Sequence, residues 1–94
     1  MSDKTLFLVQ STFNQTDSNL DQLEHLYSEN DQLVLMGDAV LFVHDQRLLN
    51  KQHIAILEND AEILVDEIPN HIQQISYAQF ADLVLDFKRC IRLT

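Results

Sequence analysis

The chain has 94 residues, 46% of them apolar, and carries fifteen acidic against six basic side chains, a formal charge of -9 at pH 7. That length makes one domain, residues 1-94, burying roughly 60 to 65% of its unfolded surface. The acidic balance argues against direct binding to a nucleic-acid backbone, and a single glycine and a single proline leave little room for disordered linkers. One cysteine, Cys90, rules out a disulfide framework within the chain and suits a reducing compartment. No charged-then-apolar leader opens the sequence and no apolar run approaches a membrane span, so the expectation is a soluble cytoplasmic protein with no membrane partner.

In chain order, Thr5 to Val9 is a continuous apolar run and predicts a strand buried on both faces. Ser11 to Thr16 is polar except for Phe13 and reads as a loop, with Phe13 either closing the core edge or standing as an interface anchor. Leu20, Leu23, Leu26 and Tyr27 recur at helical spacing and predict a helix over Asp17 to Ser28, capped by Asp17 or Ser18. Asp31 to Val43 is the organising stretch. Leu33 to Met36 is a second buried strand, broken at Gly37-Asp38, with Asp38 expected to cap a short helix over Ala39 to Val43. That helix is more apolar than covering one sheet face requires, which is the sign of a protein partner. Val40, Leu41, Phe42, Leu48 and Leu49 are therefore interface candidates beside Phe13.

His53 to Leu57 predicts a third buried strand. Asn59 with Glu62 is spaced as a capping box for a helix over Asp60 to Glu67, ended by Pro69. Gln73 to Ile75 is a short polar strand near a sheet edge. Ser76 and Gln79 make a second capping box ahead of a helix whose stripe is Tyr77, Phe80, Ala81, Val84 and Phe87, with Leu83 beside it. Cys90 to Leu93 is a terminal strand or tail. Lys88, Arg89 and Arg92 crowd the last seven residues and are expected to complement a helix C-terminus. The alternation of strand and helix predicts an α/β fold: an open, mostly parallel sheet with helices on both faces.

The chemistry is sparse. A lone glycine cannot build a phosphate loop or a dinucleotide fingerprint, so no cofactor is expected. His25, His44, His53 and His71 show no ligand spacing, which argues against a metal site. Asp82 and Asp86 share one helix face and read as its solvated side. Cys90 has cations as neighbours, which favour a thiolate, but it lies where no later helix can shelter it. Ser11 and Thr12 follow the first strand without glycines to form a nucleophile elbow. No catalytic constellation emerges; Cys90 is the weak candidate, and the residues favour a binding subunit.

Taken together, the chain resembles the DsrH/TusB family of sulfur-relay subunits. The resemblance rests on the apolar first strand with its short polar loop and on Glu29-Asn-Asp-Gln-Leu-Val-Leu-Met-Gly-Asp-Ala-Val40. It rests also on Ile56-Leu-Glu-Asn-Asp60 and on Ile75-Ser-Tyr-Ala-Gln-Phe-Ala-Asp-Leu-Val84. It implies a small Rossmann-like, DsrE-type fold. It also implies a heterohexamer with DsrE/TusD-like and DsrF/TusC-like subunits, which passes persulfide sulfur toward 2-thiolation of the tRNA wobble uridine or, in the Dsr system, serves sulfur oxidation. The carrier cysteine of such complexes lies on the DsrE/TusD-type subunit. Here the loop after the first strand, Ser11-Thr-Phe-Asn-Gln-Thr16, has no cysteine, which implies a non-carrier, TusB-like subunit. The rival reading is a sulfurtransferase carrying persulfide on Cys90, but family chains commonly end in a tryptophan after a basic stretch and Cys90 has no counterpart there. With fifteen acids against six bases, the isolated chain should give no shift of tRNA in a gel assay at physiological salt; tight binding there would overturn the charge argument.

Overall fold

The computed structural model describes residues 4–65 and 67–94. The apolar runs become β1 (Thr5–Val9), β2 (Gln32–Leu35) and β3 (Ile54–Leu57), joined by β4 (Ile72–Ile75) and β5 (Arg89–Leu93). They form one sheet in the order β4-β3-β2-β1-β5, with every pairing parallel. The first three crossovers step in one direction across the sheet and the fourth returns to the far side of β1. Right-handed crossovers therefore place α1 (Phe13–Leu26), the β2–β3 connection and α2 (Glu58–Ala61) on one face and α3 (Tyr77–Asp86) on the other.

Packing follows that division. Phe7, Val9, Leu33, Leu35, Ile54 and Ile56 bury against Leu20 and Leu23 of α1 and against Val40, Val43 and Leu48 of the β2–β3 connection. On the opposite face, Leu6, Leu8, Val34, Ala55 and Leu57 lie beneath Phe80, Leu83, Val84 and Phe87 of α3. Being covered twice is why β1 to β3 read as unbroken apolar runs rather than alternating ones. The edge strand β4, Ile-Gln-Gln-Ile, exposes its two central glutamines. The Ser76–Gln79 capping box forms as expected, with Ser76 N–H donating to Gln79 Oε1 at 2.8 Å and Gln79 N–H to Ser76 Oγ at 3.1 Å.

Four expectations are corrected. The loop predicted over Ser11–Thr16 ends at Thr12, because α1 begins at Phe13. Its first turn is closed by the Thr16 hydroxyl, which donates to the Thr12 carbonyl at 2.8 Å and so accepts from Ser11 Oγ at 2.9 Å. Asp38 is not the cap of the segment that follows β2. That segment is a 3₁₀ helix over Gly37–Phe42, entered from Met36 without any side-chain cap, and Gly37 supplies the positive φ of 60° at its start.

The helix predicted over Asp60–Glu67 is a single turn, Glu58–Ala61, entered from Leu57, so Asn59 lies inside it rather than capping it. Asp60 is engaged elsewhere: its carboxylate accepts the Gly37 N–H at 3.0 Å. Beyond Ala61 the bonds are of the tighter i to i+3 kind, Ile63 N–H to the Asp60 carbonyl and Leu64 N–H to the Ala61 carbonyl. Residue 66 of that predicted span lies outside the described residues. Finally, Lys88, Arg89 and Arg92 do not complement a helix end, since the last turn of α3 holds no base and both arginines lie on β5.

Charged contacts fasten the β2–β3 connection to α1. A second 3₁₀ turn, Gln46–Leu48, is capped by Asp45, whose carboxylate accepts the Arg47 N–H at 2.9 Å. The Arg47 guanidinium uses all five of its N–H donors. It binds both oxygens of Asp45 at 2.8 Å, the carboxylate and carbonyl of Asp17 at 2.8 and 3.1 Å, and Asp21 at 2.7 Å. Buried Lys51 follows, donating to Glu24 at 3.1 Å and to the Arg47 carbonyl at 2.7 Å, with its ammonium 5.3 Å from the Tyr27 ring centroid.

The side-chain bonds from Arg47 hold the Asp45 carboxyl below its ordinary range, and the same bonds hold the Arg47 guanidinium still more firmly protonated. A depressed carboxyl contributes stability above the unfolded-state value of about 3.9 and loses it as pH falls through the folded-state value. Arg47→Met should destabilise the protein by about 2 kcal/mol at pH 7, since most of this rests on the sheltered Asp45 rather than on exposed Asp17 and Asp21. Urea unfolding of both proteins should show that gap narrowing below a pH of about 4 as Asp45 protonates; a gap unchanged with pH would sink the assignment.

Candidate functional site at the carboxyl edge of the sheet

Open parallel sheets place their working surface beyond the carboxyl ends of the strands. Here that edge is built from three returns. Gln10–Thr12 leads from β1 into α1, Met36–Gly37 leads from β2 into the first 3₁₀ helix, and Glu58–Asp60 follows β3 directly. Met36 N–H donates to the Val9 carbonyl at 2.9 Å, and Asp60 holds the Gly37 amide, so the second return is tied to both neighbours. Asp60 escaped the sequence reading because its partner is 23 positions away and no local pattern marks it.

Chemically the edge is quiet. The Ser11 hydroxyl is committed to Thr16, which is committed in turn to the Thr12 carbonyl, so neither hydroxyl is paired with a base. Cys90 lies at the other end of the sheet. It pairs in register with Leu6, the second residue of β1, three residues short of the Val9–Leu93 level, or about 10 Å along the strand. His44, His71 and Glu67 line one groove of about 360 Å³, and His71 Nε2 is buried in it with no hydrogen-bond partner. Among the described residues no group of three His, Cys, Asp or Glu side chains is placed to hold a metal ion. Asp82 and Asp86 stand, solvated, over a shallow groove of about 260 Å³ between α3 and the sheet, with Gln32 and Gln73 as its polar floor.

What the edge does present is apolar surface. Phe13, at the start of α1, is 52% exposed and its ring centroid lies 5.1 Å from that of half-buried Phe42. Leu41 is 44% exposed; Leu49, 66% exposed, stands away from this edge, beside Pro69 and His71 at the entry to β4. Of the interface candidates, these four reach the surface. Val40 and Leu48 do not: both are 0% exposed, packed into the α1 face of the core. The periodicity of the apolar run could not separate them, because a 3₁₀ helix repeats every three residues and sends Val40 and Val43 inward while Leu41 turns out.

A family model described as DsrH like protein matches residues 10–90. The chain belongs to the DsrH family. As a DsrH-family chain it is a sulfur-relay subunit, and the stretches Glu29–Val40 and Ile75–Val84 that carried the resemblance lie inside the matched span. A search of the curated proteins gives no match. Among solved structures, the YchN protein from Escherichia coli superposes with a TM-score of 0.65 over 99% of this chain and 100% of that one, at 11% identity. An identity that low speaks for the shared α/β fold alone. No helix among the described residues is long and apolar enough to cross a membrane.

Burial separates two neighbours in this DsrH-family chain. Val40→Asp places an unpaired carboxylate in the core and should cost about 3 to 5 kcal/mol, enough to leave little folded protein. Leu41→Asp, one residue on, should lower the unfolding free energy in urea titration by no more than about 0.5 kcal/mol. Equal behaviour of the two variants would mean that the 3₁₀ helix is turned differently.

Proposed function

We propose that this DsrH-family chain is a non-catalytic subunit of a cytoplasmic sulfur-relay complex that supports 2-thiolation of the tRNA wobble uridine. In this reading it assembles with DsrE/TusD-like and DsrF/TusC-like subunits into a heterohexamer and contributes surface rather than a thiol. The observation that carries the reading is the placement of sulfur chemistry. The return after β1, where a relay cysteine would meet the carboxyl edge, holds no thiol, and its Ser11 hydroxyl is committed to Thr16. The sole thiol, Cys90, stands near the amino end of β5. A thiolate that accepts and hands on a persulfide requires shelter as well as a fixed cation or helix N-terminus; Cys90 has bases beside it in β5 but stands exposed on the edge strand.

The partner-facing surface in this reading is the patch of Phe13, Leu41 and Phe42, with exposed Leu49 a separate candidate beside Pro69 and His71. An aromatic pair with a leucine next to it, half in solvent, matches the anchor composition of protein interfaces. In cells lacking the native copy, Cys90→Ser should restore tRNA 2-thiolation to near wild-type levels, read by mass spectrometry of digested tRNA. The double variant Phe13→Asp/Leu41→Asp should remain folded by circular dichroism, fail to co-purify with the DsrE- and DsrF-like subunits, and restore no thiolation. Loss of thiolation in a Cys90→Ser complex that still assembles would reject the non-carrier reading in favour of persulfide transfer through Cys90.

A further inference from the structure

The six bases divide sharply. Arg47 and Lys51 are consumed by acids of α1 and by Asp45. The other four, Lys4, Lys88, Arg89 and Arg92, form no ion pair with any described residue. All four are exposed, and all lie on one corner of the molecule. Arg89 pairs in register with Thr5 and Arg92 with Leu8, so Lys4 and Lys88 immediately precede the first paired level of β1 and β5. The Lys4 ammonium is 5.8 Å from the ring centroid of Phe87, which directly precedes Lys88. In a chain of charge -9, every base without an acidic partner among the described residues therefore gathers around one strand.

That strand is also an open sheet edge. β5 pairs only with β1. The Leu93 carbonyl faces β1, accepting Gln10 N–H at 3.0 Å, so strand alternation turns the backbone N–H and C=O of Cys90 and Arg92 outward. By the register, Arg89 shares a face with Thr5 and Phe7, while Arg92 shares the opposite face with Leu6 and Leu8. A cation therefore projects on each side of the free backbone.

Cationic edges can be mere protection against edge-to-edge pairing. Protection alone accounts poorly for β4, the other edge, which carries only Ile-Gln-Gln-Ile and no charge at all. A second copy of this chain is a poor occupant of β5. Self-pairing would set arginine against arginine, and the β4 edge has no acids to offer. A nucleic acid would meet four cations but also the repulsion of fifteen acids, and it cannot satisfy the outward amides as a ladder does. We infer that the free edge of β5 is a docking site for an extended acidic segment of a protein partner, which adds as a sixth strand with its carboxylates against Arg89, Arg92 and the two lysines. Main-chain bonds supply the affinity in such strand addition and the flanking charges supply partner choice. The free edge runs the whole length of β5, from the Thr5–Arg89 level to the Val9–Leu93 level, and docking there does not depend on the heterohexamer reading.

The probe is a fluorescent hexapeptide Glu-Glu-Val-Glu-Glu-Val, which places carboxylates on both faces of an added strand, titrated into the full chain at about 0.05 M salt, where exposed charges are weakly screened. It should bind saturably, and hydrogen exchange of the complex should show new protection at the Cys90 and Arg92 amides. A peptide of equal charge with prolines at the valine positions should bind about tenfold more weakly, because proline cannot donate to a ladder. Arg89→Gln/Arg92→Gln, checked for folding by circular dichroism, should weaken the glutamate–valine peptide by a similar factor. Equal binding of the two peptides would reduce the corner to an ion atmosphere and overturn strand addition. So would protection that arises elsewhere while Cys90 and Arg92 stay open. A single-stranded ribo-oligonucleotide that displaces the peptide and binds more tightly would reassign the corner to RNA.

Discussion

The interaction on which most of the surface depends is the clasp of Arg47 on Asp45, Asp17 and Asp21. The β2–β3 connection is made of two 3₁₀ segments, Gly37–Phe42 and Gln46–Leu48, and such segments are too short and too strained in their hydrogen bonds to hold a position alone. Arg47 supplies what the backbone lacks. Its fork joins the connection to the second and third turns of α1, and Lys51 repeats the attachment further on, at Glu24. Once the connection is held there, Val40, Val43 and Leu48 fall into the core and Phe42 comes against Phe13. The exposed positions of Leu41 and Leu49 follow from the same constraint.

Beneath the clasp lies a sheet whose central strands have no solvent face. A parallel pair needs a crossover of a dozen or more residues, and each crossover here covers one face of the sheet. Three lie on the α1 side and one, containing α3, on the other. The start of β1 is secured by Asp31, buried between the strands: its carboxylate accepts the Thr5 N–H and the Ser28 N–H, both at 2.9 Å. Tyr27 adds its hydroxyl to the Asp31 carbonyl at 2.8 Å, and burial raises its phenol above the ordinary value, so it stays a donor. The loop between α1 and β2 is thus set by polar groups serving the sheet rather than by a ligand.

The two ends of the sheet have separated their physical character. The carboxyl edge carries aromatic and leucine surface with its hydroxyls already bonded to one another, a composition suited to packing against protein. β5 carries along its length the bases that form no ion pair among the described residues, together with the lone thiol. In an acidic molecule such segregation sets a local positive charge along β5 against the negative net charge. DsrH-family membership places the chain in sulfur relay, and the distance between its thiol and its apolar edge argues for a role through surfaces.

The strands were legible from composition alone. Thr5–Val9, Leu33–Leu35 and Ile54–Leu57 are apolar without alternation because both faces are covered. The Ser76–Gln79 box was legible for the same reason, as both of its bonds lie within one turn. Family motifs, too, are written along the chain. Two of the failures share an opposite cause, a group distant in sequence: α2 shrank to one turn where Asp60 turned to Gly37, and Val40 parted from Leu41 where their 3₁₀ helix packs into the α1 face of the core. The start of α1 is set locally, by the Thr16 hydroxyl closing the first turn on the Thr12 carbonyl. The bases near the C-terminus looked like a helix complement until the register with β1 laid them along a strand. Periodicity reports which residues avoid water; which neighbour they avoid it against, and which charges remain unpaired afterward, is settled by contacts between segments that no local pattern encodes.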